Sequence, residues 1–402
     1  MFARRAAWDL SPNPLAERVD ARHARGLPVL DLADPNPTHG GLAPAGPLRD
    51  VLAELADDPA SARYEPDARG DPRAREAIAR YHGGAVVPEH VVLTAGTSEG
   101  YAHLFRLLAD PGDRVHLPAP GYGLFEHLAA LEGVDAERYP LRPPAGDASW
   151  RIDLPALSAS LDVRSRAIAV IHPHNPTGSF VHPDDWSALC AIARERGLAI
   201  ASDEVFADYA FDGARRPGAL DVAPDGALHF ALSGASKVLA LPQLKVAWIA
   251  VAGPPKLRDE ALARLEFAAD AYLSVSPIAA RVLAALLPRR EEIQQPLRAR
   301  LGQNRRLLAD RLRGVGRVRL LPAQAGWSAV LRVADAGDEE ALALDLLDRA
   351  GVLVQPGFVF DLVDEGEPCA HLILSLLLEP GAFSRGVDAL LECLTEGPAP
   401  GA

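Results

Sequence analysis

The sequence predicts an α/β protein in which a large, mostly parallel sheet, flanked by helices, is joined to a smaller α/β domain. Three observations predict it. From about residue 86 to 251, short apolar runs alternate with amphipathic stretches, the rhythm of repeated strand–helix units. From about 254 to 313 the pattern is helical and long. From 317 to 398 strand and helix alternate again as a compact unit. The 402 residues are chain enough for two or three domains. The expected organisation is an arm over 1–49 that joins the small domain, a large domain over 50–285 and a small domain over 286–402.

The elements run in order along the chain. Residues 1–50, rich in Pro, Asp and Gly, read as an extended arm. Val91 to Leu93 reads as a strand. Tyr101, Leu104, Phe105 and Leu108 after it fall at i, i+3, i+4 and i+7, one face of a helix. Val115 to Leu117 is a strand stopped by Pro118. Ala167 to Ile171, Leu198 to Ala201, Leu228 to Leu232 and Val246 to Val251 are further β-rich runs, with a helix fitting Pro183 to Arg196. Strands Ala329–Val333 and His371–Leu376 alternate with helices Glu339–Arg349 and Phe383–Leu394 in the last part. The Pro- and Gly-containing end, 397–402, is expected to fray.

Composition narrows the function classes. Lys and Arg number 41 against 54 Asp and Glu, a net charge of −13. That acidic balance argues against nucleic acid and anionic membranes as partners. Cys190, Cys369 and Cys393 are odd in number and form no C-x-x-C, so neither a disulfide framework nor a cysteine zinc site is expected. No apolar run approaches a membrane span and no signal peptide is evident. A cytoplasmic location is expected, and no metal site.

In open parallel sheets ligands bind beyond the carboxyl ends of the strands, so the residues after each strand are the informative ones. After Val91–Leu93 comes Thr94-Ala95-Gly96-Thr97-Ser98-Glu99-Gly100; after Ala167–Ile171, His172-Pro173-His174-Asn175-Pro176-Thr177-Gly178. After Leu198–Ala201 comes Ser202-Asp203-Glu204; after Leu228–Leu232, Ser233-Gly234-Ala235-Ser236-Lys237. A Gly-Thr-Ser turn opening a helix offers N–H groups, hydroxyls and the positive dipole end to a phosphate. A carboxylate suits a protonated ring nitrogen, a lone lysine among small residues suits an imine with an aldehyde, and an asparagine suits a phenolic oxygen. Phosphate, pyridine nitrogen, aldehyde and phenolic oxygen together describe pyridoxal 5'-phosphate.

On His174-Asn175-Pro176-Thr177-Gly178, Ser202-Asp203-Glu204-Val205-Phe206 and Ser236-Lys237 with Leu241-Pro242-Gln243-Leu244-Lys245, the chain resembles the class I/II aminotransferases, fold-type-I pyridoxal-phosphate-dependent enzymes. The resemblance runs from about Leu32 to Leu394, and the spacing agrees (203 − 175 = 28; 237 − 203 = 34). It implies a Schiff base on Lys237, which also carries the proton, and Asp203 on the pyridine nitrogen. It implies Asn175 on the phenolic oxygen, ahead of a bond that is often cis. Gly96, Thr97 and Ser98 match the phosphate cup, with Ser236 adding a hydroxyl. Tyr122 falls where the family stacks an aromatic ring on the cofactor, and Tyr64 where a tyrosine reaches the neighbouring subunit's phosphate in a homodimer. The reaction implied is transfer of an amino group from an amino acid or amine to a 2-oxo acid, in ping-pong order.

Three departures stand out. Lys245 replaces the family's phosphate-binding arginine and loses its bidentate fork. Phe206 replaces a tyrosine, removing a hydroxyl from the phenolic oxygen, so a raised imine pKa is expected. Ile373 stands where the family anchors the substrate carboxylate on arginine, and no Lys or Arg occurs between Arg349 and Arg385. Asn36, in Asp34-Pro35-Asn36-Pro37-Thr38, Asn175 and His371 are the candidate substrate contacts.

Two alternatives remain open at this point. One is a lyase, decarboxylase or oxidase using the same cofactor. The other is a serine hydrolase, because Gly96-Thr97-Ser98-Glu99-Gly100 is a G-x-S-x-G after a strand, with Asp364 and His371 further on in the matching chain order.

Overall fold

The computed structural model describes residues 10–143, 149–222, 226–362 and 368–396, with positions 6 and 8. Strand β1 (Leu30–Asp31) belongs to the amino-terminal arm. Strands β2 (Val91–Thr94), β3 (Arg114–Ala119), β4 (Asp135–Arg142), β5 (Arg151–Ile152), β6 (Ser165–Ile171), β7 (Ala199–Asp203), β8 (His229–Gly234) and β9 (Ala247–Ala252) form an eight-stranded sheet. Its order is β2-β9-β8-β7-β6-β3-β4-β5. Pairs β3–β4, β3–β6, β6–β7 and β7–β8 are parallel, whereas β9 runs against both β8 and β2.

The central strands are short apolar runs because both their faces are covered. Alternate residues feed two cores. Ile168, Val170, Ile200 and Trp248 pack with Trp186 and Leu189 of helix Pro183–Arg196 and with helix Pro277–Leu286. Ala167, Ala169, Phe230 and Ile249 pack on the other face with Tyr101 and Phe105 of helix Thr97–Leu108 and Leu265 of helix Pro255–Asp270.

The second sheet contains β10 (Val318–Leu320), β11 (Ser328–Ala334), β13 (Gln355–Pro356) and β14 (Cys369–Ser375), antiparallel in the order β10-β11-β14-β13. Between β11 and β13, β12 (Val352–Leu353) pairs in parallel with β1 of the arm, Leu30 opposite Val352 and Asp31 opposite Leu353. Leu32 just beyond is wholly buried, and its carbonyl accepts from the Ser375 N–H.

Most of the expected elements lie where the sequence puts them, and helix Pro183–Arg196 has the expected bounds. Strand β3 runs on through Pro118 to Ala119 instead of stopping at the proline, because its pairing with β6 ends at His116 and only β4 lies beside Pro118. The arm is the larger exception. It is not extended throughout: Pro14–Ala24 is a helix, and a second begins at Ala45. The physical reason is local. Asn13 accepts from the N–H groups of Leu15 and Ala16, and Pro14 occupies the first helical position, where no N–H is needed. Strand β4 also escapes the apolar-run criterion, since Tyr139 is its one buried residue.

Candidate active site

Because β9 is antiparallel to both neighbours, β2 runs in the same direction as β8. The carboxyl ends of β2, β3, β6, β7 and β8 therefore open on one edge, and so does the start of β9. A cavity of about 540 Å³ lies there. On its wall are Gly96, Thr97 and Ser98 after β2, Tyr122 after β3 and Asn175 after β6. Asp203 ends β7 and Phe206 lies just past it, Ser236 and Lys237 come after β8, and Lys245 stands just before β9. Chain segments more than a hundred residues apart thus meet at one edge.

Gly96 opens helix Thr97–Leu108, whose first N–H groups face outward from the turn. A Cβ on Gly96 would stand 3.4 Å from the Lys245 Nζ, so the ammonium lies directly over the helix start. Lys245 itself takes a left-handed backbone, φ 51°. The Asn175–Pro176 peptide is cis, as expected. Tyr122 remains 44% exposed, its ring 6.1 Å from that of Phe360.

The charges are held in an unusual state. Asp203 is only 7% exposed. Burial pushes its carboxyl up to about 6, against the opposing pull of the Val205 N–H, which donates to Oδ1 at 3.1 Å, and of the Lys237 ammonium. Burial likewise lowers Lys237, and the charge of Asp203 works against that. Each feels the other, yet no ion pair joins them among the described residues. The Lys237 Nζ lies 5.0 Å from the ring centre of Trp327 and 5.7 Å from that of Phe206. Its main-chain carbonyl accepts from the Tyr209 hydroxyl at 2.6 Å.

The donor set fits pyridoxal phosphate. The side chains of Thr97, Ser98, Asn175, Ser236 and Lys245 find no hydrogen-bonding or ionic partner among the described residues, although all face one cavity. Hydroxyls, an ammonium and a helix start at one end match a dianionic phosphate. A buried carboxyl at the floor matches a protonated ring nitrogen, which would return that carboxyl to its ionised state.

Three sequence-predicted residues stand elsewhere, and a fourth is not described. Tyr64 is 77% exposed and borders a separate surface hollow with Asp71 and Arg281. The Asn36 Oδ1 accepts from the Thr38 N–H and hydroxyl, while its neighbour Pro35 reaches the cavity wall. His371 is buried off the wall, with its N–H donating to Glu339 Oε1 at 2.6 Å. Asp364 lies outside the described residues. Ser98 therefore shares its cavity with Lys237 and Asp203 rather than with His371. Conversely, Trp327, Ser328, Gln355 and Phe360 line the cavity without having been anticipated. The only local signal for them was Gly326, at φ +98°, turning the chain ahead of Trp327.

Comparison with known proteins gives the family and the fold. The family profile described as aminotransferase class I and II matches residues 28–369. The arginine–pyruvate transaminase of Pseudomonas aeruginosa is 30% identical over 402 aligned residues, covering 97% of this chain and 95% of that protein. The LL-diaminopimelate aminotransferase of Desulforudis audaxviator is 28% identical, with 94% of each chain covered. The solved alanine aminotransferase of Pyrococcus furiosus superposes with a TM-score of 0.88 at 20% identity, over 99% of this chain and all of that one, a likeness of fold. These matches do not favour the lyase or hydrolase alternatives. The chain belongs to the class I and II aminotransferases, pyridoxal-phosphate-dependent transaminases of fold type I.

Proposed function

We propose that this transaminase moves an amino group from an amino acid or amine to a 2-oxo acid in two half-reactions of ping-pong order, with Lys237 as the catalytic base and acid. The observation that carries the proposal is the convergence of Lys237, Asp203, Asn175 and the Gly96–Ser98 turn on one cavity wall. When bound, pyridoxal phosphate supplies an electrophilic carbonyl and an electron-withdrawing ring. Lys237 anchors it and, once its amine is free, moves the proton at the substrate's amino-bearing carbon. Burial favours this role, because it makes the neutral, proton-accepting amine easier to reach. Asp203 would hold the ring nitrogen protonated, Asn175 would donate to the ring oxygen, and Tyr122 would offer an aromatic ring to the cofactor. Thr97, Ser98, Ser236 and Lys245 fix the phosphate. Phe206, which also lines the cavity, has no hydroxyl to offer the ring oxygen.

We further propose a homodimer in which Tyr64, exposed and off its own cavity, reaches the partner's phosphate. We assign the arm 1–49 to the small domain 286–402, with 50–285 as the large domain, and place the protein in the cytoplasm. No helix among the described residues is long and apolar enough to cross a membrane. The test is a half-reaction screen: the cofactor-loaded protein is mixed with single amino acids and amines, and its visible band is monitored. The expected result is loss of the band with a donor and its return with a 2-oxo acid. Product release by elimination with the band retained would instead favour the lyase alternative.

A further inference from the structure

The cavity has two unlike sides. Among the described residues, the ends of the large sheet supply every charged group on its wall: Asp203, Lys237 and Lys245. The small sheet supplies the other side through Trp327, Ser328, Gln355, Phe360, Ile373 and Ser375. Strand register brings these together. Ser328 lies opposite Ser375 across β11–β14, and Gln355 lies opposite Ile373 across β13–β14. Ile373 is 4% exposed and packs in an apolar cluster with Val330 and Phe360. The polar groups here are neutral. The side chains of Gln355 and Ser328 have no partner among the described residues, and the Ser375 hydroxyl accepts from the Leu377 N–H at 3.4 Å while keeping its own proton to donate.

This inference rests on transamination at Lys237. A donor whose amino-bearing carbon sits at the Nζ must place one substituent against the small sheet. A carboxylate there would meet no countercharge among the described residues of the wall once both lysines serve the cofactor. A hydroxyl or carboxamide would instead meet donors and acceptors of matching strength. We propose that the preferred amino donor is a primary amine carrying an uncharged hydrogen-bonding head group, an amino alcohol or amino amide, held by Gln355, Ser328 and Ser375 beside Ile373. The donor loses its amino nitrogen and gains oxygen from water, leaving as the carbonyl compound. The 2-oxo acid takes up the nitrogen and releases water as it becomes the amino acid, so no further oxidant or reductant enters. The carboxylate of that acceptor meets the same neutral groups, which makes the 2-oxo acid the weakly bound substrate.

The test uses the cofactor-loaded protein in single half-reactions. The probes are leucine, leucinamide and leucinol, and phenylalanine, phenylalaninamide and phenylalaninol, with the faster side chain deciding. Loss of the visible band gives kcat/KM for each. The expected result is a preference of at least tenfold for an uncharged member over the acid. Ile373→Arg should shift the ratio toward the acid by a further tenfold or more. Because a buried arginine can unfold the small sheet, Gln355→Ala provides a second measure, slowing the amide and alcohol with the band intact. Acid used as well as or better than both uncharged donors would overturn the inference while leaving transamination standing. A retained band with all six donors, while another amino acid discharges it, would overturn the inference alone; a band retained across the whole screen of amino acids and amines would overturn both.

Discussion

Replacing Phe206 with tyrosine restores a hydroxyl where the cavity has none, and its effect can be worked from the structure. Phe206 lines the cavity between Lys237, whose Nζ is 5.7 Å from its ring centre, and Trp327, at 5.5 Å between rings. A tyrosine hydroxyl there donates to the ring oxygen of the lysine-bound cofactor, an oxygen more basic when the lysine nitrogen is deprotonated. A hydrogen bond to a charged group is worth roughly 1.5–3 kcal/mol. At about 1.4 kcal/mol per pKa unit this is a shift of about one to two units. The bond favours the deprotonated form, so the shift is downward. The assay is absorbance of the visible band against pH for the two cofactor-loaded proteins. A midpoint that stays in place or rises, with cofactor retained, would mean that no such bond forms.

Lys237→Ala should abolish the lysine-dependent visible band and slow the half-reaction by at least about a hundredfold; rapid mixing with a donor checks it, and a rate near that of the parent would count against Lys237. Lys245→Ala removes the ammonium over the helix start and should weaken cofactor retention about tenfold, whereas Lys245→Arg should tighten it by adding a fork; equilibrium dialysis reads both. His229 is wholly buried with neither ring nitrogen partnered, and burial lowers it to about 4. A depressed imidazole stabilises the fold above the unfolded value near 6.5, and that contribution is lost as pH falls toward 4. Between pH 8 and pH 5 the loss is about 2 kcal/mol. His229→Leu should flatten the pH dependence of denaturant unfolding by that amount, and parallel curves would contradict it.

The large-sheet half of the site was legible because strand ends are local: a run such as Ala167–Ile171 is recognisable, and the residues next along the chain must emerge at the edge. Lys245 was legible only through its motif. It arrives because β9 is antiparallel and begins where its neighbours end, a matter of strand order that no short window encodes. The small-sheet half was hidden for the same kind of reason. Gln355 reaches the cavity through a two-residue strand, too short to leave any periodicity, and Trp327 is fixed by packing on Tyr209 and Phe206, more than a hundred residues away. In the arm, proline and glycine content outweighed the one local sign of a helix, the Asn13–Pro14 cap.

The pairing of β1 with β12 fastens the arm to the stretch of chain that runs on into Gln355. Leu32 fills a socket so close-fitting that a Cβ on Gly386 would come within 2.8 Å of it, and Ala33 and Pro35, next along the chain, reach the cavity. The arm therefore passes from its pairing with β12 straight to the cavity that Gln355, two residues beyond β12, also lines.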